Sequence, residues 1–308
     1  MLDVLVVGDL NPDLLLSGDV VPRFGQAEQD VDATIALGGS GGIAAAALAR
    51  LDRTVALAAA VGDDDLGRLV TARLAARGVR TDALQRSTCA TGLSVHLLTG
   101  DGDRAILTHA GAIADLDVAA AAAAIAAARP RHVHVASVYL IAALARDGAQ
   151  ILHAARAAGA STSVDTNFDP SGAFAVPPWL RAADVLLPNA TEATALTGHD
   201  DPEDAARDLA RDGATVAVKL GAGGALAVAG PDGDAVHVPA PPPPGPVVDT
   251  VGAGDAVDAG FLRAHLDGRP LQDALAIATA AGTLSTQAGG DAGQPTLDQA
   301  LGLAGCRT

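Results

Sequence analysis

The chain has few cysteines and few basic residues. Its 308 residues include two cysteines, Cys89 and Cys306, which stand far apart and without the spacing of metal ligands. This usage fits a reducing compartment and argues against disulfides and against a zinc site. Lys and Arg number 20 against 36 Asp and Glu, for a formal net charge of -16. Because such a chain repels nucleic acid and anionic membrane surfaces, we expect neither as a partner, and any bound phosphate must be held by local groups.

Long apolar segments are missing as well. A membrane-spanning helix needs about 20 consecutive apolar residues, and the longest bland run, residues 118–128, is mostly alanine and precedes Arg129-Pro130. The N-terminal segment, Met1 to Gly8, carries no basic region and is too short for a signal peptide. Together with a hydrophobic content of 49%, these features predict a globular protein of the cytoplasm with a well-buried core.

Short β-branched segments alternate with longer alanine-rich segments of helical pattern. Several short segments are apolar on both faces, which is typical of a parallel sheet covered by helices on each side. We therefore expect an α/β fold with a doubly wound, mostly parallel sheet flanked by helices. The predicted strands are 3–8, 54–61, 132–137, 161–165, 184–187 and 214–219, and the predicted helices are 41–51, 65–77, 115–128, 142–158, 189–197, 203–212, 254–268, 271–287 and 296–303.

Two regions interrupt this alternation: residues 13–36, and the pair 92–99 and 104–110 joined by Gly100-Asp101-Gly102-Asp103. The pair alternates apolar and polar residues around a Gly-Asp turn, which predicts an antiparallel hairpin. We expect segments 13–36 and 92–110 to form a small β-sheet that projects from the core as a lid. Since an exposed small sheet with apolar alternation tends to pair with a copy of itself, the pattern also predicts a homodimer through the lid.

The most informative segment runs from Val247 to Leu262. A strand-like Val247-Val248 leads into Asp249-Thr250, and the small-residue turn Gly252-Ala253-Gly254 opens onto a helical pattern that begins at Asp255. Unpaired N–H groups at such a turn, together with the helix dipole, can hold a phosphate. Asp255 would then lie within proton-transfer reach of an alcohol that attacks this phosphate. Aspartate is also a preferred N-cap residue, so the motif alone leaves open a catalytic base and a simple helix cap.

The pattern Asp249-Thr250-x-Gly252-Ala253-Gly254-Asp255, followed by a helix with Gly260-Phe261 and combined with an early Gly-Gly helix start, resembles the ribokinase-like (phosphofructokinase-B type) carbohydrate kinases. The resemblance covers essentially the whole chain, residues 1–308, as one kinase domain with the lid segments inserted. It implies ATP-dependent transfer of the γ-phosphoryl group to a primary alcohol of a sugar or sugar-like compound, with Mg²⁺ required. It also implies that Asp255 is the general base and that the N–H groups of Gly252, Ala253 and Gly254 form the anion hole.

Two alternatives stay open beside this interpretation. A nucleoside kinase shares the same motifs, and a non-catalytic sugar- or nucleotide-binding relative is the alternative from another class. The segment Gly39-x-Gly41-x-x-Ala44, with Asp63 to Asp65 about 20 residues on, also satisfies a dinucleotide-binding fingerprint. That fingerprint normally follows the first core strand, however, and residues 3–8 already supply one.

The resemblance also implies which residues bind the acceptor. Asn11 and Asp13, in a loop where such residues are often only turn formers, would grip sugar hydroxyls. The Gly-Gly segment would let the backbone approach the sugar, although Ile43 replaces an asparagine that is frequent in the family. Tyr139, just past strand 132–137, is expected in the pocket, where a half-buried aromatic is the alternative. The expected acceptor residues are therefore Asn11, Asp13, Gly38, Gly39, Ser40, Ile43, Tyr139 and Asp255.

The nucleotide and its metals are implied in the same way. Asn189-Ala190-Thr191-Glu192 has the spacing of a capping box, and the resemblance gives Glu192 an indirect role in the Mg²⁺ hydration shell. Asp169 stands where many relatives carry an arginine, a loss for which we expect Lys219 to compensate. The expected ATP-binding residues are Asn189, Lys219, Gly221, Gly224 and Gly254. The resemblance further implies K⁺ held by Asp249 and by carbonyl groups of Val251, Ser285, Ala288 and Gly290.

Overall fold

The structure of the protein, a computed structural model, describes residues 1–25, 28–99 and 104–306. Its strands, in chain order, are β1 Val4–Val7, β2 Asn11–Ser17, β3 Asp32–Gly38, β4 Val55–Ala58, β5 Ala60–Gly62, β6 Gln85–Ser87, β7 Leu93–Leu98, β8 Arg104–His109, β9 His132–Val135, β10 Ser161–Val164, β11 Val185–Leu186, β12 Thr215–Lys219, β13 Ala225–Ala229 and β14 Val236–Val238. Its α-helices are α1 Ser40–Arg50, α2 Asp65–Ala76, α3 Val118–Ala128, α4 Ala142–Asp147, α5 Ala149–Ala158, α6 Ala190–Thr197, α7 Pro202–Ala210, α8 Ala253–His265, α9 Leu271–Ser285 and α10 Leu297–Ala304. Within the described ranges, no helix is long and apolar enough to cross a membrane.

An eight-stranded sheet forms the centre of the fold, in the order β14-β13-β12-β11-β10-β9-β1-β4. Six neighbouring strands are parallel to one another, in the order β4, β1, β9, β10, β11 and β12. Strand β13 pairs antiparallel with β12, and β14 pairs antiparallel with β13. Strands β1 and β9 are buried at every position, because helices cover both faces of the sheet. Helices α3 to α7 pack on one face, and α1, α2, α8, α9 and α10 pack on the other. The predicted doubly wound α/β fold is confirmed.

Two predicted elements are each divided in the structure. The strand expected at 54–61 forms β4 and β5, because β4 pairs with β1 in the central sheet whereas β5 pairs with β6. The helix expected at 142–158 is interrupted at Gly148. A Cβ atom at Gly148 would lie 2.3 Å from Cζ2 of Trp179, so the indole ring packs directly against the backbone at this interruption.

A second sheet of four strands has the order β3-β2-β7-β8. Strand β2 pairs antiparallel with β3 and parallel with β7, and β7 and β8 form the predicted antiparallel hairpin. The turn expected at Gly100 to Asp103 lies outside the described residues. This is the small sheet predicted from segments 13–36 and 92–110, with its first strand beginning two residues earlier, at Asn11.

The register gives the small sheet two distinct faces, because side chains alternate along a strand. Asp13 lies opposite Ser94 on the inner face, and Leu14 lies opposite Val95 on the outer face. Leu107, which pairs with Val95, is 62% exposed. The inner face therefore carries polar groups toward the core, and the outer face presents apolar side chains to solvent.

Candidate active site

A cleft of ≈ 880 Å³ lies at the carboxyl ends of the parallel strands, which is where open α/β sheets bind ligands. Asp9 and Asn11 follow β1, Asp165 and Asn167 follow β10, and Lys219 ends β12. The inner face of the small sheet, the N-terminus of α8 and the loop at Gly221 to Gly224 complete the lining. Of the residues predicted from the sequence, the cleft brings together Asn11, Asp13, Gly39, Ser40, Ile43, Asn189, Glu192, Lys219, Gly221, Gly224, Val251, Gly252, Ala253, Gly254 and Asp255.

Lys219 lies at the centre of a buried charge cluster. Its Nζ atom is 2.6 Å from Oδ2 of Asp165 and 3.0 Å from both carboxylate oxygens of Asp258. Burial alone would lower the pKa of Lys219, but the two carboxylates outweigh burial and raise that pKa above its ordinary value. Burial raises the pKa of Asp258 well above its usual range. For Asp165 burial acts in the same direction, but the ammonium group opposes it and the net pKa is lowered.

Asp255 is a buried carboxylate that has no ion-pair partner among the described residues. It lies in the first turn of α8 and is 8% exposed. Burial raises its pKa to about 8, and the hydrogen bond that it accepts from the Ser40 hydroxyl opposes this shift. Lys219 also opposes the shift, but its ammonium group already contacts Asp165 and Asp258. At neutral pH the Asp255 side chain is thus poised to hold a proton.

The start of α8 distinguishes the two interpretations of Asp255 that the motif left open. The N-cap residue is Gly252, with φ 74°, and no side chain in the described part of the chain caps the helix. Asp255 is therefore not the cap, and its carboxylate faces Ser40 in the cleft instead. The Ala253 N–H donates to the Thr250 carbonyl at 3.3 Å within the turn. The N-terminus of α8 opens into the cleft with its positive dipole end.

Close backbone approaches explain the glycines at the start of α1. Gly39 has φ 78°, and a Cβ atom there would lie 2.9 Å from the Asp9 carbonyl oxygen. At Gly38 a Cβ atom would lie 2.0 Å from Oδ1 of Asp13, so Gly38 makes room for that carboxylate and does not itself line the cleft. The segment follows β3 of the small sheet rather than β1, which removes the context that a dinucleotide fingerprint requires.

Asn11 and Asp13 hold each other at the junction of the two sheets. The Asn11 amide donates to Oδ1 of Asp13 at 2.9 Å and to the Ser94 hydroxyl at 3.3 Å. Both residues are buried. Ile43 lines the same cleft and packs toward the start of α8, where a Cβ atom at Gly252 would lie 3.0 Å from its Cγ2 atom. This end of the cleft therefore combines a polar floor with an apolar wall.

Tyr139 does not line the cleft, contrary to the expectation from its place after β9. Ser137, with φ 57°, turns the chain before it, and the Tyr139 hydroxyl donates to the Ala175 carbonyl at 3.2 Å. Its ring packs edge-on against Phe174. Phe174 in turn contacts Phe168, which does line the cleft. Tyr139 therefore supports the wall of the cleft from behind.

Asp169, which replaces the arginine of many relatives, organises its own loop. Its carboxylate accepts hydrogen bonds from the Ser171 N–H at 2.8 Å and from the Phe174 N–H at 2.7 Å. The side chain does not line the cleft. The expected substitute, Lys219, does line it, but its ammonium group is already paired with Asp165 and Asp258.

Among the residues that escaped the sequence prediction, Asp9, Asp165 and Asn167 line the cleft, and Asp258 contacts Lys219 without lining it. Asp9 accepts hydrogen bonds from the Gly41 N–H at 2.9 Å and from the Ser137 hydroxyl at 2.8 Å. Asn167, with φ 55°, donates to Oδ2 of Asp165 at 3.1 Å and to the Ser40 hydroxyl at 3.0 Å. A sequence signal existed for three of them, because Asp9, Asp165 and Asn167 directly follow strands that end at this edge.

The residues that could hold a metal ion differ in how well their ligand atoms suit one. The carboxylates of Asp165, Asp255 and Asp258 lie within 4.8 Å of one another, yet two of them already contact the ammonium group of Lys219, so this cluster holds an ammonium group rather than a metal. Glu192 forms the predicted capping box with Asn189. Burial and, next, the Asp165 charge raise the pKa of Glu192 to about 7. Its carboxylate lines the cleft and can meet a hydrated cation.

The residues expected to hold K⁺ converge behind the start of α8. Asp249 accepts hydrogen bonds from the Val251 N–H at 2.9 Å and from the Gly290 N–H at 2.8 Å. A Cβ atom at Gly293 would lie 2.0 Å from the Ser285 carbonyl oxygen and 3.1 Å from that of Ala288. A carboxylate and carbonyl groups are oxygen donors of the kind that a hard cation prefers.

A buried carboxylate and the N-terminus of α8 thus lie together at the edge where a parallel sheet binds ligands. The defining pattern of the pfkB family carbohydrate kinases matches residues 1–297. The chain belongs to this family and is a carbohydrate kinase.

Related proteins cover the chain almost from end to end. The ATP-dependent ribose-1-phosphate kinase of Halopiger xanaduensis is 34% identical, over 97% of this chain and 96% of its own. The ribokinase of Bacillus subtilis is 28% identical, over 97% and 98%. Among solved structures, Arabidopsis thaliana ribokinase complexed with ribose and ATP has a TM-score of 0.83 at 25% identity and covers 99% of both chains.

The raised pKa of Asp255 predicts how the stability of the folded protein depends on pH. The folded-state pKa of about 8 exceeds the ordinary value of 3.8, so the folded protein keeps a proton that the unfolded chain releases between these pH values. The contribution of Asp255 to stability therefore falls as pH rises toward 8, by up to about 1.4 kcal/mol per pH unit. Asp255→Asn, which cannot ionise, should melt at a higher temperature than the wild type at pH 8 to 9, with a difference that shrinks as the pH is lowered.

Calorimetry of the ligand-free protein across this pH range measures the effect. The matched control is Asp65→Asn, because the Asp65 side chain is 98% exposed and its removal should give no difference that grows with pH. A lower melting temperature for Asp255→Asn at pH 8.5 would contradict the burial of an ionisable carboxylate at this position.

Proposed function

We propose that the protein transfers the γ-phosphoryl group of ATP to a primary alcohol of an unphosphorylated sugar or sugar-like compound. One observation carries this proposal: the Asp255 carboxyl, with its raised pKa, lies in the first turn of an uncapped helix that opens into the cleft. A proton acceptor and an anion site therefore lie close together. Phosphoryl transfer to an alcohol needs both.

Asp255 acts as the general base. The acceptor oxygen attacks the γ-phosphorus, the bond from this phosphorus to the β–γ bridging oxygen breaks, ADP leaves, and the proton of the alcohol passes to the Asp255 carboxylate. A pKa near the working pH makes a stronger base than an ordinary carboxylate while leaving part of the population ionised. The Ser40 hydroxyl, which donates to Asp255, orients the carboxylate for this transfer.

The backbone at Gly252, Ala253 and Gly254 stabilises the negative charge on the transferring group, as N–H groups at a helix start do elsewhere. Lys219 supports this position electrostatically, because a Cβ atom at Gly254 would lie 3.9 Å from its Nζ atom. Its ion pairs with Asp165 and Asp258 hold it in place, so it contributes a fixed charge rather than a mobile side chain.

ATP occupies the part of the cleft that runs from the start of α8 to the loop after β12. Asn189, Lys219, Gly221, Gly224 and Gly254 lie along this path and all line the cleft. Mg²⁺ would supply positive charge that offsets the negative charge of the phosphates. Glu192, fixed by the Asn189 N–H at 2.9 Å, would orient the waters of its hydration shell.

The acceptor occupies the other end of the cleft. Asn11 and Asp13 offer an amide and a carboxylate for hydroxyl groups, and Gly39 and Ser40 approach from α1. Ile43 contributes an apolar wall where many relatives have a polar contact. This wall also suits the hydrophobic face of a nucleoside, so a nucleoside kinase is the second candidate.

The charge of the cleft favours an unphosphorylated acceptor. Lys219, already ion-paired, is the one Lys or Arg side chain among the described lining residues, although one relative is a ribose-1-phosphate kinase.

Removing the general base should strongly reduce turnover while leaving ATP binding nearly unchanged. For Asp255→Asn we expect kcat to fall by roughly 10²–10⁴-fold, with a nearly unchanged KM for ATP. ADP release is measured with Mg²⁺ and K⁺ present, using D-ribose, D-fructose, D-glucose, 2-dehydro-3-deoxygluconate, cytidine and adenosine as acceptors. Asp65→Asn serves as the control and should retain wild-type turnover. Turnover by Asp255→Asn near the wild-type rate, or no ADP release by the wild type with any acceptor, would sink the assignment.

We also propose that Asp249 and the carbonyl groups of Val251, Ser285, Ala288 and Gly290 hold K⁺, which would fix the loop that precedes α8. Exchanging K⁺ for choline at equal ionic strength should lower kcat/KM by about tenfold, the effect of about 1.4 kcal/mol. It should also lower the melting temperature of the protein without substrates. Equal kinetics and equal melting in the two salts would exclude the site.

The small sheet, segments 13–36 and 92–110, is proposed to act as a lid and to pair with a second copy through its outer face. Ile35 and Leu107 on this face are 44% and 62% exposed, and apolar sheet faces of this kind tend to be covered. Leu107→Asp should convert a dimer to a monomer in light-scattering measurements. Val176→Asp, at an exposed site outside the small sheet, should leave the dimer intact. A monomeric wild type at micromolar concentration would overturn the proposal.

A further inference from the structure

His96 is a buried histidine on the inner face of the small sheet. It is 4% exposed and lines the cleft. Neither of its ring nitrogens has a hydrogen-bond partner within the described part of the chain. Its Nε2 atom comes within 3.3 Å of Oδ2 of Asp13, but the geometry of this approach is not that of a hydrogen bond.

Several other polar groups near His96 have partners of their own. Asn11 donates to Asp13 and to Ser94, and the Ser94 and Thr108 hydroxyls are 3.3 Å apart. The cross-strand neighbours of His96 are Leu15 on β2 and Ile106 on β8. An apolar side chain would therefore suit this strand position, and the imidazole is not needed to complete the local hydrogen-bond network.

An unpaired buried polar group is costly. Leaving a buried donor or acceptor without a partner costs about 1–3 kcal/mol, and such groups in native proteins call for a specific explanation. His96 faces the same cleft as Asp13, which we assign to the acceptor. The missing partner is therefore most simply a group of the acceptor itself.

We infer that His96 forms a hydrogen bond with a hydroxyl group of the acceptor and thereby selects which alcohol the enzyme phosphorylates. The inference rests on the proposed function. A hydroxyl that lies beside both side chains can donate to Asp13 and accept from the ring N–H, a pairing that a carboxylate and an imidazole offer together. A hydroxyl fits better than a phosphate, because the nearest charged group is the Asp13 carboxylate.

A comparison of acceptor analogues tests this contact. With the acceptor that the wild type uses best from the set above, His96→Phe should raise KM by about tenfold, the effect of one lost hydrogen bond, and change kcat much less. Among the monodeoxy analogues of that acceptor, the one that lacks this hydroxyl should lose kcat/KM with both proteins, but about tenfold less with His96→Phe, because only the wild type also loses the His96 contact. His96→Gln, which keeps a donor, should recover part of the loss.

Two controls distinguish the loss of an acceptor contact from a defect in folding. His153→Phe, at an exposed position on α5, should leave the analogue pattern unchanged. The melting temperature of ligand-free His96→Phe should not fall, because no hydrogen bond within the described chain is removed; if the phenyl ring disrupts folding, His96→Leu takes its place.

Three results would overturn the inference. Equal KM values for wild type and His96→Phe, or deoxy penalties that are the same in both proteins, would show that His96 does not touch the acceptor. A tenfold preference of the wild type for ribose 1-phosphate or fructose 1-phosphate over every neutral acceptor would exclude the hydroxyl assignment. Absence of any phosphorylation by the wild type would remove the proposed function and this inference together, whereas an active wild type with an unaffected His96 variant removes the inference alone.

Discussion

The candidate site depends on one buried ammonium group that faces more carboxylates than it can neutralise. Lys219, at the end of β12, holds Asp165 from the end of β10 and Asp258 from α8. These contacts tie two strands of the central sheet to the helix whose first turn borders the cleft. Asp255, one turn before Asp258, is left with a hydroxyl partner rather than a cation. Because an ionised carboxylate is costly in such a place, its pKa rises, and this shift is what makes it suitable as a base.

Small residues make the convergence of helices possible. Gly39 and Gly41 let the start of α1 rest against the backbone of Asp9, and Gly252 provides the left-handed turn that begins α8. As a result, the Ser40 hydroxyl reaches Asp255 across a separation of 215 residues in sequence. Ile43 then packs on Gly252, so the same close approach that orients the base also builds the apolar wall of the acceptor end. Chemistry and specificity are therefore linked through the packing of α1 on α8.

Local sequence patterns were sufficient for the fold and for locating the turn that begins α8. The alternation of apolar strands and alanine-rich helices fixed the layers, and Gly252 to Asp255 marked the start of α8. Whether Asp255 caps that helix depends on the φ value of Gly252 and on the position of Ser40, and neither is a local property of the motif. The partners of Lys219 lie 54 and 39 residues away, so its role as an ion-paired charge could not be predicted from the loop in which it stands. Tyr139 was expected in the cleft from its place after β9, but its contacts with Ala175 and Phe174 are made to residues more than 30 positions away and have no local signature.

The central claim is that Asp255 is a carboxyl group whose proton is retained near neutral pH. The most direct measurement is the titration of its side-chain carbon by ¹³C NMR in the ligand-free protein, assigned by comparison with Asp255→Asn. We expect a midpoint near 8, well above that of an exposed aspartate. A midpoint below about 5 would show that the carboxylate is ionised throughout the working range and would contradict the account.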